Sequence, residues 1–348
     1  MALSGALVAA VRTGITARLA DRPATAAEVA ADLGLDPVAT RLLLDFLRSI
    51  GHVTQRRGRY RLARAARRWL DPASPVSVAG YIAGATDYWP WWQNLDQVVR
   101  TGVEEGSHGA DPADPYWRRY ITGQLELASL SAAEVASKLP LPRRPRAVLD
   151  VGGGHGWYSA QLCRRHPGLT ATVLDLPGSA AIGREIIAAA GLSDRVRFRD
   201  GDATTADFGG GYDAVLCFNL VHHLDPGQIA GLFKRAHAAL KPGGTIAVLD
   251  AFAEPGRRAS VQHDALALFV YLSSGSQVRT PGELDGWLRG AGFSPPRSVR
   301  ILRVPGLSLR VARKLPIIAN GPVLHCSPRA GRRTRRPPLA TRPRPPRA

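Results

Sequence analysis

With 348 residues the chain is long enough for two domains with cores of their own. Its 45% hydrophobic content is ordinary for a globular protein, and no apolar run is long enough to predict a membrane-spanning helix. The net charge of +18 is uneven: eight arginines and no acid lie beyond Leu315, which leaves +10 for the rest. The charge therefore speaks to solubility and nonspecific contact more than to a specific nucleic-acid partner.

The apolar start, Met1 to Ala10, lacks a basic leader and reads as part of a helix rather than as a signal peptide. Three cysteines are few and odd in number, with no C-x-x-C spacing, so no metal site is expected. Cys163 and Cys217 fall in apolar patterns and read as inert core thiols, and a reducing cytoplasmic location fits.

Leu3, Leu7, Val11, Ile15 and Leu19 repeat on one face of an expected helix over 1–20. Thr25-Ala26-Ala27-Glu28 is a capping box that starts a second helix, ending near Gly34. Asp36-Pro37 starts a third, running to Gly51. Short strands at 52–55 and 59–62 flank the turn Arg57-Gly58. Helices followed by a hairpin form a winged-helix arrangement over 1–75. The outer face of the third helix, with Thr40, Arg41, Asp45 and Arg48, offers little base-reading chemistry, so packing or dimerisation is favoured over DNA binding.

Residues 76–140 read as helical and hold dense aromatic clusters, Tyr88-Trp89-Pro90-Trp91-Trp92 and Tyr116-Trp117. Trp92 and Trp117 are candidate walls for a flat apolar ligand, although either ring would serve as well in a domain seam. An exposed loop is expected from Gly102 to Asp114, and Pro140 to Pro145 forms a stiff linker. Strands at 147–151, 171–175, 195–199, 213–218 and 245–250 alternate with helices at 157–166, 179–190 and 226–240 over 146–314. That alternation predicts a doubly wound parallel sheet, an α/β fold. Helices at 261–273 and 281–291 and an antiparallel edge hairpin, 297–303 with 307–313, complete the domain. The Pro- and Arg-rich tail, 316–348, is expected to be disordered.

Four features fall at the carboxyl ends of successive strands. The first is Asp150-Val151-Gly152-Gly153-Gly154-His155-Gly156, where Gly152, Gly154 and Gly156 give G-x-G-x-G rather than the nicotinamide fingerprint G-x-G-x-x-G. The second is Asp175, placed to accept ribose hydroxyls. The third is Gly201-Asp202, an acid suited to an adenine amino group. The fourth is Phe218-Asn219-Leu220-Val221-His222-His223-Leu224-Asp225.

These motifs, with TVLDLP, LKPGGTIAVLD and RTPGELDGWLRGAGF, resemble the S-adenosylmethionine (SAM)-dependent O-methyltransferases of the plant caffeic-acid/chalcone type and their bacterial natural-product-tailoring relatives, over about residues 1–314. The resemblance implies a Rossmann-like sheet with an antiparallel seventh strand, an N-terminal winged-helix dimerisation domain, a homodimer, and no metal. It implies that Asp150, Gly152, Gly154, Gly156, Asp175, Gly201, Asp202 and Phe218 border SAM. It implies His222 as catalytic base held by Asp250, with Asn219 and His223 toward the acceptor, in a chain that methylates a phenolic hydroxyl of an aromatic or polyketide-like molecule. One departure stands out: Val278 replaces the family's second glutamate in Ser276-Gln277-Val278-Arg279-Thr280. Either Asp250 suffices to orient the histidine, a neighbour such as Asp264 substitutes, or base catalysis is relaxed. A SAM-binding homologue performing a different tailoring step, hydroxylation or decarboxylation, is the alternative that this departure raises. A winged-helix DNA-binding regulator is the other.

Overall fold

The computed structural model describes residues 2–102, 109–253, 261–304 and 306–315. The expectations for the tail from 316 and for part of the 102–114 loop lie outside them. In place of one helix over 1–20 there are two, α1 (Ala2–Arg12) and α2 (Ile15–Asp21), broken where Gly14 turns to a φ of 80°. Helix α3 (Ala26–Leu33) begins on the Thr25–Glu28 capping box, and α4 (Pro37–Ser49) begins on the Asp36 side chain. Strands β1 (Val53–Arg56) and β2 (Arg59–Leu62) pair across Arg57 and Gly58, both with positive φ as a tight hairpin turn demands. Leu44, Leu47, Val53 and Tyr60 close a small core here.

One sequence expectation for α4 changes. Thr40 is buried rather than outward, and the outward charges are tied to one another, with Asp45 meeting Arg41 at 3.4 Å and Arg48 at 3.6 Å. Asp45 also accepts the Tyr60 hydroxyl at 2.8 Å, which fastens the helix to the hairpin.

The central segment is helical in pieces: α5 (Arg64–Leu70), α6 (Ala79–Gly84), α7 (Trp89–Gln93), α8 (Leu95–Thr101) and the long α9 (Pro115–Lys138). Glu126 of α9 accepts the Gly80 and Tyr81 amides, joining α6 to it.

Then come β3 (Ala147–Val151), α10 (Trp157–Arg165), β4 (Thr170–Asp175), α11 (Pro177–Ala189), β5 (Val196–Asp200), β6 (Tyr212–Phe218), α12 (Pro226–Ala239), β7 (Leu240–Ala251), α13 (Val261–Ser274), α14 (Pro281–Gly290), β8 (Arg297–Val299) and β9 (Leu307–Arg313). The sheet order is β5-β4-β3-β6-β7-β9-β8. Strands β3 to β7 are parallel, and β9 runs antiparallel beside β7. One apolar layer packs α9 to α11 on one face, and a second packs α12 and α14 on the other. Cys163 and Cys217 are buried in these layers, and burial pushes both thiols up.

The strand expected at 297–303 stops at Val299. The backbone beyond it turns to α9 instead: Glu134 accepts the Leu302 amide at 2.9 Å and the Arg303 amide at 3.0 Å, and Lys138 donates to the Arg300 carbonyl at 2.6 Å.

Chain order reverses between β3 and β6, so a crevice opens at the carboxyl ends of the central strands. Asp213, at the start of β6, fixes the opposite end of that pair. It accepts the Arg146 amide at 2.7 Å, the Ala147 amide at 3.0 Å and the Lys241 ammonium at 2.8 Å. Burial alone would raise its pKa, but these three donors outweigh it and hold the carboxyl below the usual range. The stabilisation is therefore complete above the unfolded pKa of about 3.9 and is lost as pH falls through the lower folded value. Asp213→Asn should lower the unfolding free energy by about 1–3 kcal/mol at neutral pH. In urea titrations the gap from wild type should close as pH falls below about 3.9.

Candidate active site

Above the crevice lies a cavity of about 430 Å³. Its floor is the glycine loop after β3, where Gly152, Gly154 and Gly156 all take positive φ. Beneath the loop Asp150 is 1% exposed. Its Oδ2 accepts the Ser159 hydroxyl at 2.8 Å, while Oδ1 is buried without a partner. Burial pushes Asp150 up to about 7, with the Ser159 bond opposing and Asp175 adding to the rise.

The carboxylate has room because residue 153 is glycine: a Cβ there would lie 2.6 Å from Asp150 Cγ and 2.8 Å from Val173 Cγ1. Gly156 does a different job from the one expected. It does not line the cavity, and a Cβ on it would press to 3.0 Å on Phe198 Cζ, so it lets α10 close on the sheet.

Asp175 ends β4 and ties the loop down, accepting the Gly154 amide at 2.6 Å and the Leu176 amide at 2.7 Å. Burial raises its pKa against those bonds. Gly201 and Asp202 line the cavity after β5, with Asp202 accepting the Thr204 amide and hydroxyl at 2.7 and 2.8 Å. Phe218 and Asn219 line it after β6. Asn219 has a φ of 50°, a region that asparagine tolerates better than most residues, and its amide donates to the Leu249 carbonyl at 2.7 Å.

One face of α9 forms the opposite wall through Trp117, Tyr120, Ile121 and Gln124. Trp117 donates its indole N–H to the Asp111 carbonyl at 3.1 Å, and Tyr120 stacks on Tyr116 at 5.4 Å between ring centroids. Trp92 is 39% exposed and does not line the cavity. Its neighbours Tyr88 and Trp91 pack instead on Phe269 of α13, with centroids 5.0 and 5.9 Å away.

The two histidines after β6 are placed differently. His223 lines the cavity; His222 lies beside it, ring centroids 4.1 Å apart, and is not itself a lining residue. His222 Nδ1 is 2.6 Å from Asp250 Oδ1, with the two side chains 15% and 2% exposed. Asp250 also accepts the Ala251 amide at 2.8 Å and the His222 amide at 3.3 Å.

Asp264 does not reach the histidine turn as a substitute for Asp250: its side chain is 68% exposed and its pairing is with His263 at 3.7 Å. The segment around Val278 acts through its neighbours. Ser276 and Arg279 both donate to the Leu224 carbonyl at 2.9 Å, pinning the end of the histidine turn.

Gly153, His155, Tyr120, Gln124, Ser273 and Ser274 also line the cavity and were not among the sequence candidates. The spacing 117, 120, 121, 124 on one helix carries a legible signal, since i, i+3, i+4 and i+7 share a face.

A strand-end cavity bordered by a glycine loop and three acids is the place where doubly wound folds bind nucleotide-like ligands. The comparisons give the family. Residues 93–294 match the O-methyltransferase domain and residues 1–72 the O-methyltransferase dimerisation domain. The 3-hydroxy-5-methyl-1-naphthoate 3-O-methyltransferase of Streptomyces sahachiroi is 31% identical over 84% of this chain and 87% of its own. The tetracenomycin polyketide synthesis 8-O-methyl transferase of Streptomyces glaucescens is 30% identical over 86% and 90%. Human N-acetylserotonin methyltransferase, solved in complex with SAM, superposes with a TM-score of 0.80 at 23% identity, covering 90% of this chain and 94% of that one, a likeness of fold. The chain belongs to the O-methyltransferase family and is a SAM-dependent enzyme. Its cavity suits that molecule: it presents acids at two adjacent strand ends and a buried, half-satisfied carboxylate beneath an open loop. No helix among the described residues is long and apolar enough to cross a membrane.

Gly153→Ala should displace Asp150 and cost about 1–3 kcal/mol of stability, read by thermal unfolding. It should also weaken S-adenosylhomocysteine binding in calorimetry.

Proposed function

We propose that this protein methylates a phenolic hydroxyl of an aromatic or polyketide-like small molecule, with His222 as general base and Asp250 as the group that orients it. The bond from His222 Nδ1 to Asp250 carries the reading. A carboxylate at Nδ1 places that nitrogen's proton toward Asp250 and leaves the Nε2 lone pair to accept one. Asp250 is itself held by two backbone amides, so it orients the ring without help from position 278.

SAM supplies an activated methyl group bound to a positive sulfonium. Asp175 and Asp202 would hold its adenosine, and Asp150 would meet its ammonium. The chain's task is then alignment and proton removal. A phenol near pKa 10 and an imidazolium near 6.5 differ by about 4.8 kcal/mol, at roughly 1.36 kcal/mol per unit. Proximity and orientation can supply that much. An aliphatic alcohol lies several units higher, which favours a phenol. The aromatic wall of α9 suits a planar acceptor.

A second reading gives the base to His223, because that ring faces the cavity and His222 does not line it. The two are separable. Under the first reading His222→Ala should leave S-adenosylhomocysteine affinity nearly unchanged and cut turnover by about two to four decades, while His223→Ala retains most of it. The reverse ranking would move the base to His223. The assay is mass detection of the methylated product across a panel of phenols.

We further propose a homodimer formed through residues 1–72. Leu3 on α1 and Val38 and Leu42 on α4 are large apolar side chains exposed in this region. Leu42→Asp should shift the light-scattering mass toward the monomer; an unchanged dimer would place the interface elsewhere.

A further inference from the structure

His155 sits in the glycine loop between Gly154 and Gly156 and has no part in the mechanism above. It is 7% exposed and lines the cavity. Its Nδ1 accepts the Trp157 amide at 3.0 Å, so the ring proton lies on Nε2, which meets no acceptor among the described residues. Burial pushes its pKa down to about 4, so the ring stays neutral. It is therefore a fixed N–H donor at the mouth of α10.

We propose that His155, through Nε2–H, recognises the carboxylate of the methyl donor's amino-acid portion, an inference that rests on the SAM reading of this cavity. The sheet order supplies the direction. Asp202 follows β5 and Asp175 ends β4, so the adenosine-suited acids lie to one side of β3. His155 lies toward the other side: its ring is 6.0 Å from Tyr158, which stands 4.9 Å from Phe218 at the end of β6.

The amino-acid end of the ligand would occupy that flank, and its two charges need opposite partners. The orphan Oδ1 of Asp150 suits the ammonium and repels the carboxylate. Backbone donors are scarce, because several of the loop's amides are committed to the loop itself or to β4. Gly152 donates to the Leu174 carbonyl at 2.8 Å, Gly154 to Asp175 at 2.6 Å, Gly156 to the Gly153 carbonyl at 2.8 Å, and Trp157 to His155. The imidazole N–H is a donor the chain leaves for a ligand.

Two substitutions separate this role from helix capping. His155→Asn keeps an acceptor near the Nδ1 position for the Trp157 amide and removes the donor at Nε2. His155→Gln keeps a donor near Nε2 and gives up the cap. Full-length protein is titrated calorimetrically with S-adenosylhomocysteine and with 5′-methylthioadenosine, which lacks the amino-acid portion. Asparagine should weaken S-adenosylhomocysteine roughly 10- to 100-fold, the range for a hydrogen bond to a charged group, and leave methylthioadenosine unchanged. Glutamine should retain most of the S-adenosylhomocysteine affinity. Asparagine binding like wild type, or both variants weakening both ligands alike, would overturn the inference and leave His155 a structural cap. Wild type binding neither ligand would overturn the SAM reading and this inference with it.

Discussion

The site depends on a carboxylate held almost wholly out of water. Asp150 is bonded through one oxygen to Ser159 and bare on the other, with the glycine loop folded over it. An acid in that position resists ionising, and its folded pKa rises to about 7. Its contribution to stability is therefore complete at low pH and lost as pH rises through that value. A cationic group placed at Oδ1 would offset that penalty. The small residues around it follow from the same constraint: position 153 has no space for a Cβ because the carboxylate occupies it.

A second acid is fully bonded. Asp250 lies at the end of β7 with its oxygens bonded to His222 Nδ1 and to two amides, so its charge is spent on orienting one ring. Adjacent parallel strands thus end in different chemistry. β3 and β4 present acids beside the glycine loop, β6 presents the histidine pair, and β7 presents the acid behind it. Ser276 and Arg279 fix the turn between β6 and α12 by sharing the Leu224 carbonyl. The segment around Val278 thus has a positioning part through its neighbours.

Much of this was legible in the sequence because strand-end chemistry is local. Asp150, Asp175 and Asp202 each follow or end an apolar run, so their shared edge follows from the sheet alone. The capping box at Thr25 also marked a helix start correctly. Long-range choices were not legible. The strand after residue 296 is short because Glu134, far off in sequence, captures its amides. Trp92 and Trp117 look alike as aromatic residues in helical segments, yet only Trp117 reaches the cavity, while Trp92 stays exposed on α7 beside Trp91, which packs on α13. Gly156 belonged to the glycine motif for a packing reason that no spacing reveals. His155 was overlooked because its use depends on which ring nitrogen the following amide engages.

The central claim is that the strand-end acids form the SAM site, and one titration tests it most directly. Full-length protein and Asp175→Ala would each be titrated calorimetrically with S-adenosylhomocysteine. Wild type should bind at micromolar affinity and the variant should not, since Asp175 both faces the cavity and holds the Gly154 amide. Equal affinity in the two proteins, or no binding by either, would contradict the claim.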